Sequence, residues 1–332
     1  MENGSMPIAS ILIPAVKPTY LERAIRSALL QSLRDIEILV GDDTPDGSLA
    51  HVVERFHDSR LRYFHHGHQN AKQNAAALWR RANSPYVKWL HDDDVLLPLS
   101  VEVLVEALRA HPDSRLAFHG RVFIDDTGAV CWCPGSPIAD GDTVAITRAE
   151  LSRSLVGRLY NWVGELSNVM LTRDRDEAAY LFDYRGWPID CLQDVAMYLN
   201  AAEDAPIIGV GGVYGAYRQH DGQMSNYASP YFPAILYEWE LMVRGEAASK
   251  GLSRKRLVEA KERLIAHYRL HARLYPEIAP LMHGADEIDR LPAAQLLQST
   301  RFAENLLSAR TAIQARIAQA CGRDSNLSRQ YA

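Results

Sequence analysis

Tyr86-Val87-Lys88-Trp89-Leu90-His91-Asp92-Asp93-Asp94-Val95-Leu96-Leu97-Pro98 is the stretch on which the reading of this chain turns. Its first half is short, apolar and preceded by Ser84-Pro85, the pattern of a buried strand. Three carboxylates follow at once, and an apolar helix opens behind Pro98. Adjacent Asp residues repel one another, so three of them at the carboxyl end of a buried strand call for a compensating charge. A divalent cation meets that need, because hard cations take oxygen ligands and keep positions open for phosphate oxygens. An acidic surface turn also places Asp where a strand ends. The strand before the triplet and the helix after it favour the cation.

The residues before this stretch repeat one pattern. Residues 8–13 form an apolar run ended by Pro14, read as a first buried strand. Thr19 and Glu22 then stand at capping-box spacing, and Leu21, Ala24, Ile25, Ala28 and Leu29 line one helical face. Residues 36–40 predict a second strand that ends in Gly41-Asp42-Asp43, and Thr44-Pro45-Asp46-Gly47 turns the chain into a helix through Phe56. A third strand over 61–64, a helix over 70–82 and a fourth strand over 86–90 complete the series. Strand alternating with helix predicts an α/β protein with a mostly parallel sheet covered on both faces. Ligands of such sheets bind outside the carboxyl ends of the strands. Pro14, Asp42, Asp43 and Asp92 to Asp94 all fall there.

Beyond the triplet, Pro98 suits the first position of a helix whose buried stripe is Val101, Leu104, Val105 and Leu108. A strand over 116–124, the turn Asp125-Asp126-Thr127-Gly128 and a return strand over 130–133 follow. Residues 134–148 read as an irregular loop, either a surface connection or a cover over the site. Another strand is expected over 166–171. Leu192, Val195, Ala196 and Leu199 then make a helical stripe, with Asp190 and Asp194 on the face away from it. Two strands, 207–210 and 213–217, precede Arg218-Gln219-His220. From about Tyr231 the chain is helical, with apolar spacing at Leu257, Ala260, Leu264, Tyr268 and at Leu306, Ala309, Ile313, Ile317. The expected division is a catalytic domain over 1–228 and an α-helical region over 229–332, which packs on that domain or forms a homodimer.

Composition narrows the classes. At 332 residues, 47% hydrophobic and 23% charged, the chain has the profile of a globular protein with a large core. A net charge of -5 gives no general case for nucleic acid binding. No basic start with an apolar run marks a signal peptide, and no segment is apolar enough to span a bilayer, so a cytoplasmic protein is expected. Arg254-Lys255-Arg256 suits either peripheral contact with an acidic membrane or, more commonly, a solvated helix face. The four Cys lack zinc-site spacing, and His65, His66 and His68 form a polar cluster more often solvated than liganded.

Four blocks in order, Ser10-Ile11-Leu12-Ile13-Pro14, Leu39-Val40-Gly41-Asp42-Asp43, Leu90-His91-Asp92-Asp93-Asp94 and Tyr217-Arg218-Gln219-His220, resemble the inverting glycosyltransferases of family 2, with the GT-A fold. The resemblance covers roughly residues 8–226 and implies a nucleotide-diphosphate sugar donor, a saccharide or glycoconjugate acceptor as in surface polysaccharide synthesis, and Mn2+ or Mg2+. It implies that Pro14 and Asp43 lie against the nucleotide, with Asp43 on the base or ribose. The third block matches the family's Asp-x-Asp motif: by register His91 stands at its first Asp and Asp93 at its second. Asp93 is then the direct metal ligand with Asp92 on the ribose or metal, and Asp94 is the partner if the motif is Asp92-x-Asp94. Arg218 is implied to touch the diphosphate, and His220 the metal or a phosphate. The catalytic base is implied to be Asp194, in a pair where Gln193 replaces the usual Glu. Val16 stands where the family often has a stacking aromatic. Two rival classes are a sugar-1-phosphate nucleotidyltransferase, whose Gly-rich Arg-bearing loop is missing after the first strand, and a non-catalytic nucleotide-sugar-binding module.

Overall fold

The alternation read from the sequence is built as β1 (Ala9–Ala15), α1 (Pro18–Leu29), β2 (Ile36–Asp42), α2 (Ala50–Val53), β3 (Leu61–His65), α3 (Ala71–Arg81) and β4 (Tyr86–Trp89). This is a computed structural model, described over residues 6–173, 182–223, 226–227 and 229–320. β1 pairs in parallel with β2 and β4, and β2 pairs in parallel with β3. Ile11, Leu12 and Ile13 are closed to solvent, because helices cover both faces of the strand. A strand buried on both sides has no reason to alternate, which is why 8–13 reads as a continuous apolar run. Burying each such side chain contributes about 1.5–3 kcal/mol.

The chain continues through β5 (Val95–Leu96), α4 (Ser100–Ala110), β6 (Leu116–Ile124), β7 (Val130–Trp132), β8 (Thr143–Ile146) and β9 (Val169–Thr172) to a closing strand, Ile207–Arg218. The sheet runs β3-β2-β1-β4-β9-β6, then the closing strand, then β5. β9 is antiparallel to β4 and β6, whereas the closing strand runs parallel to β6. The α/β architecture expected from the sequence is therefore present, with its first four strands parallel.

Several local expectations are corrected. α1 opens at Pro18 with no side-chain cap, and Glu22 pairs with Arg26 and Arg55 instead of closing a capping box. Proline at the first helical position, with its preset φ, sets that start. α4 begins two residues past Pro98, whose carbonyl accepts hydrogen bonds from Ser32. The helix expected through Phe56 is a single turn. Part of the loop 134–148 is β8, antiparallel to the closing strand. The two strands over 207–217 are one, with register shifts around Gly211-Gly212, where Gly212 has φ +116°.

The described residues gather into two compact units. The first comprises the sheet and its helices through 146, with 163–173 and 204–220. The second takes 147–162, 182–203 and the described residues from 221 on. A single cut near 228 thus misses the grouping of 147–162 and 182–203 with the C-terminal helices. The cause lies in one helix, Phe232–Ala248, buried almost all round. Its Glu238 accepts N–H bonds from Asp190, Cys191 and Leu192, and its Glu246 binds Arg148 and Ser152. The predicted stripes of Arg254–His271 and Thr300–Ala320 are buried as well. Among the described residues no helix is long and apolar enough to cross a membrane.

Candidate active site

β4 ends at Trp89, and the acidic triplet turns off its carboxyl end with the Asp94 N–H donating to the His91 carbonyl at 3.2 Å. The three carboxylates face different partners. Asp92 Oδ2 accepts from the N–H groups of Val16 and Lys17, at 2.9 and 3.1 Å, and so fastens the loop after β1. Asp93 Oδ2 lies 3.0 Å from His220 Nε2. Asp94 is closed to solvent; it accepts from the Ser167 hydroxyl at 2.6 Å and from the Arg218 N–H at 3.0 Å. Ser167 also accepts from the His91 N–H. One ligand atom each from His91, Asp93 and Asp94 lies within 4.8 Å of the others.

The local charge is unbalanced. Burial and the Asp93 charge push the Asp92 carboxyl up to about 6, against the two N–H bonds it accepts. The same two causes hold Asp94 well above the ordinary carboxylate range. Beneath them the ammonium of Lys88, fully buried, donates to the Ser167 carbonyl at 2.8 Å. Burial pulls that ammonium down to about 7, opposed by the Asp94 charge. Carboxylates brought this close favour a cation between them. The carboxylate oxygens suit Mn2+ or Mg2+. The residues present therefore fit the metal implied by the resemblance.

The exit of β2 separates two adjacent Asp residues by role. Asp42 accepts from Thr44 N–H and hydroxyl, Leu49 N–H and Tyr63 hydroxyl, which makes it the builder of the turn. Asp43 accepts from the N–H groups of Gln69 and Asn70, at 3.0 and 2.7 Å. Burial raises its carboxyl against those bonds. Each carboxylate oxygen has a second lone pair, so Asp43 retains acceptor capacity. Pro14 stands beside this exit, in register with Gly41. A Cβ on Gly41 would meet Asn74 Oδ1 at 2.4 Å, and Asn74 donates to the Gly41 carbonyl. His66 Nδ1 bonds Asn74, and its Nε2 accepts from Arg81, so neither ring nitrogen is offered to a metal.

Asn74 and Ser167 escape a reading of the sequence, since neither belongs to a repeating pattern. Tyr20 is a third such residue. Its ring lies under the Arg218 guanidinium, 4.5 Å from the centroid, and its hydroxyl donates to Asp126 at 2.7 Å.

In the second unit Asp194 sits in the first turn of the helix Gln193–Ala201, where a carboxylate is favoured by the helix dipole. Half-buried, it accepts from Asn161 Nδ2 at 2.6 Å. Asp190 lies before that helix and not on its face, correcting the expected spacing. It is buried and paired with Arg310 at 2.8 Å.

Comparison with known proteins agrees with this layout. Residues 10–136 match the family model for glycosyl transferase family 2. An uncharacterized glycosyltransferase of Rickettsia felis is 30% identical over 132 residues, which is 38% of this chain and 22% of that protein. The GalNAc(5)-diNAcBac-PP-undecaprenol beta-1,3-glucosyltransferase of Campylobacter jejuni is 33% identical over 108 residues, 30% of this chain and 34% of that protein. The matched stretch thus spans about a fifth to a third of these relatives. Among solved structures, S. aureus TarS 1–349 in complex with UDP-GlcNAc superposes with a TM-score of 0.53 and 14% identity, over 89% of this chain and 92% of that one. That likeness extends the fold to most of the chain. Residues 10–136, which hold the first three motif blocks, are thus similar to glycosyl transferase family 2, and the fold of the chain is of the GT-A type.

Proposed function

We propose that the chain is a metal-dependent inverting glycosyltransferase. It moves a sugar from a nucleotide-diphosphate donor to a hydroxyl of a saccharide or glycoconjugate, as in surface polysaccharide synthesis. The observation that carries this is the convergence of Asp43 and the His91, Asp93, Asp94 and His220 group at the carboxyl ends of the strands. That is where parallel sheets bind their ligands. The Campylobacter relative, named as a glucosyltransferase, supports the reaction class, and the TarS complex with UDP-GlcNAc supports the donor class.

In this reading Asp43 takes a hydrogen bond from the base or ribose, with Pro14 beside it. Asp92 shapes the loop after β1 on the nucleotide side. His91, Asp93, Asp94 and His220 hold Mn2+ or Mg2+. When bound, the cation supplies positive charge against the diphosphate leaving group. Asp194 takes the acceptor proton as the acceptor oxygen bonds the anomeric carbon. The bond from that carbon to the diphosphate oxygen breaks, and its electron pair leaves with the diphosphate. One displacement inverts the centre without a covalent enzyme intermediate.

The test is a panel of nucleotide sugars, scored for binding by thermal shift and for release of nucleoside diphosphate, each with Mn2+ and with EDTA. Binding and turnover are expected only with the metal. Asp194→Asn should bind the preferred donor normally and turn over about 10²–10⁴-fold more slowly. Equal donor affinity in EDTA would remove the metal from the proposal, and full turnover by Asp194→Asn would remove the base.

A further inference from the structure

We infer that Arg218 is a positioning residue for the metal-binding turn and not a contact to the diphosphate; this rests on the metal reading above. The side chain is 1% exposed and lies against the Tyr20 ring. Its Nε and Nη1 donors go to main-chain carbonyls. Nε donates to the Asp93 carbonyl at 2.9 Å, and Nη1 donates to those of Asp125 and Asp126 at 2.6 and 3.3 Å. The Arg218 N–H also donates to Asp94 Oδ1 at 3.0 Å. One residue at the end of the closing strand therefore holds the backbone of Asp93 and the carboxylate of Asp94. Two residues later His220 reaches Asp93 Oδ2.

The guanidinium is itself clamped. The Tyr20 ring lies against it, and the Tyr20 hydroxyl reaches the carboxylate of Asp126, whose carbonyl also accepts from Arg23 at 3.0 Å. The turn at 125–126, helix α1 and the acidic triplet thus meet on one planar fork. Lysine keeps the charge but has its three donors on one nitrogen and cannot reproduce the planar fork that spans the Asp93 and Asp125 carbonyls. Without the fork the Asp93 peptide loses its anchor, and the spacing of Asp93 from His220 and Asp94 is no longer held. Residues that orient metal ligands typically cost 10–100-fold in metal affinity when removed.

The experiment titrates Mn2+ alone, followed by the free-ion electron paramagnetic resonance signal, into the full chain without nucleotide. Wild type, Asp93→Asn, Arg218→Lys and Tyr20→Leu are compared, with melting curves in EDTA alongside. Arg218→Lys is expected to bind Mn2+ at least about tenfold more weakly. Tyr20→Leu should shift in the same direction by less, and both should melt cooperatively in EDTA. A purely structural role would lower melting without altering the affinity of the folded protein. Wild-type Mn2+ affinity in Arg218→Lys, with binding of inorganic pyrophosphate in Mn2+ lost, overturns the inference and returns Arg218 to the diphosphate. Should Arg218→Lys not fold, Tyr20→Leu decides, and unchanged Mn2+ affinity there overturns it too. Wild type binding no more Mn2+ than Asp93→Asn would instead sink the metal reading, and this inference with it.

Discussion

Glu246 in the second unit and Asp94 in the first are both closed to solvent, yet they live on opposite terms. Glu246 receives the Arg148 guanidinium at 2.6 Å, the Ser152 hydroxyl at 2.5 Å and the Tyr184 hydroxyl at 2.7 Å. Those partners outweigh burial and bring its carboxyl below the ordinary value. Glu240 is also paired, with Arg244 and the Tyr268 hydroxyl, although there burial outweighs the partners and its carboxyl is raised. Asp94 instead has two more carboxylates beside it in sequence and a Lys88 ammonium that burial itself discourages. Its carboxyl is pushed up by burial and by Asp93. A buried acid with fixed partners holds a fold together. A buried acid among other acids leaves like charges unbalanced, and the fold bears the cost.

Removing one side of a balanced pair should hurt most. Glu246→Ala leaves Arg148 without that carboxylate and opens a gap beside Ser152 and Tyr184. Breaking a buried pair in this way costs about 3–5 kcal/mol. Urea denaturation should show that loss, and a change below about 1 kcal/mol would mean that Glu246 is no better satisfied than Asp94.

The unbalanced cluster should respond the other way. In EDTA, Asp93→Asn removes one of three neighbouring charges while keeping the side-chain shape. Stability within about 0.5 kcal/mol of wild type, or above it, is expected. A loss of about 2 kcal/mol or more in the metal-free protein would show that the triplet is structural, and the contrast between the units would collapse.

What the sequence made legible follows the same division. The parallel strands, the apolar stripes of α1, α4 and the C-terminal helices, and the acidic triplet were readable because burial there is periodic or continuous. The burial of Phe232–Ala248 was not, since Glu238, Glu240, Arg244 and Glu246 read as solvent-facing. Their partners, among them Arg148 and Tyr268, lie far away in sequence. The grouping of 147–162 and 182–203 with the C-terminal helices was hidden for that reason. In the candidate site, residue types marked Asp93 and Asp43, but Ser167 and Asn74 carry no pattern that distinguishes them from other polar residues. Asp190 and Asp194 were placed together by four-residue spacing, which lost its meaning once the helix began at Gln193.

Glu238 offers the finest test, because it lies between the two cases. It accepts three consecutive N–H bonds, from Asp190, Cys191 and Leu192, and so fixes the start of the helix that carries Asp194. Burial and the Asp190 charge nevertheless raise its carboxyl to about 8, from an ordinary 4.5. The groups facing it are Asp190, Arg310 paired with Asp190, the Tyr237 hydroxyl and Cys191. A carboxyl whose pKa is higher in the folded state binds more protons folded than unfolded between 4.5 and about 8. Its contribution to stability is therefore complete below 4.5 and is lost as the pH rises through about 8. Glu238→Gln removes that titration and keeps an acceptor oxygen for the N–H groups. The difference in melting temperature, variant minus wild type, should therefore increase from pH 5 to pH 9, by a few degrees. A difference that stays flat would mean that the three N–H bonds hold Glu238 as an anion throughout. Glu238 would then join Glu246 among the balanced acids, and the unbalanced ones would be confined to the turn that carries the acidic triplet.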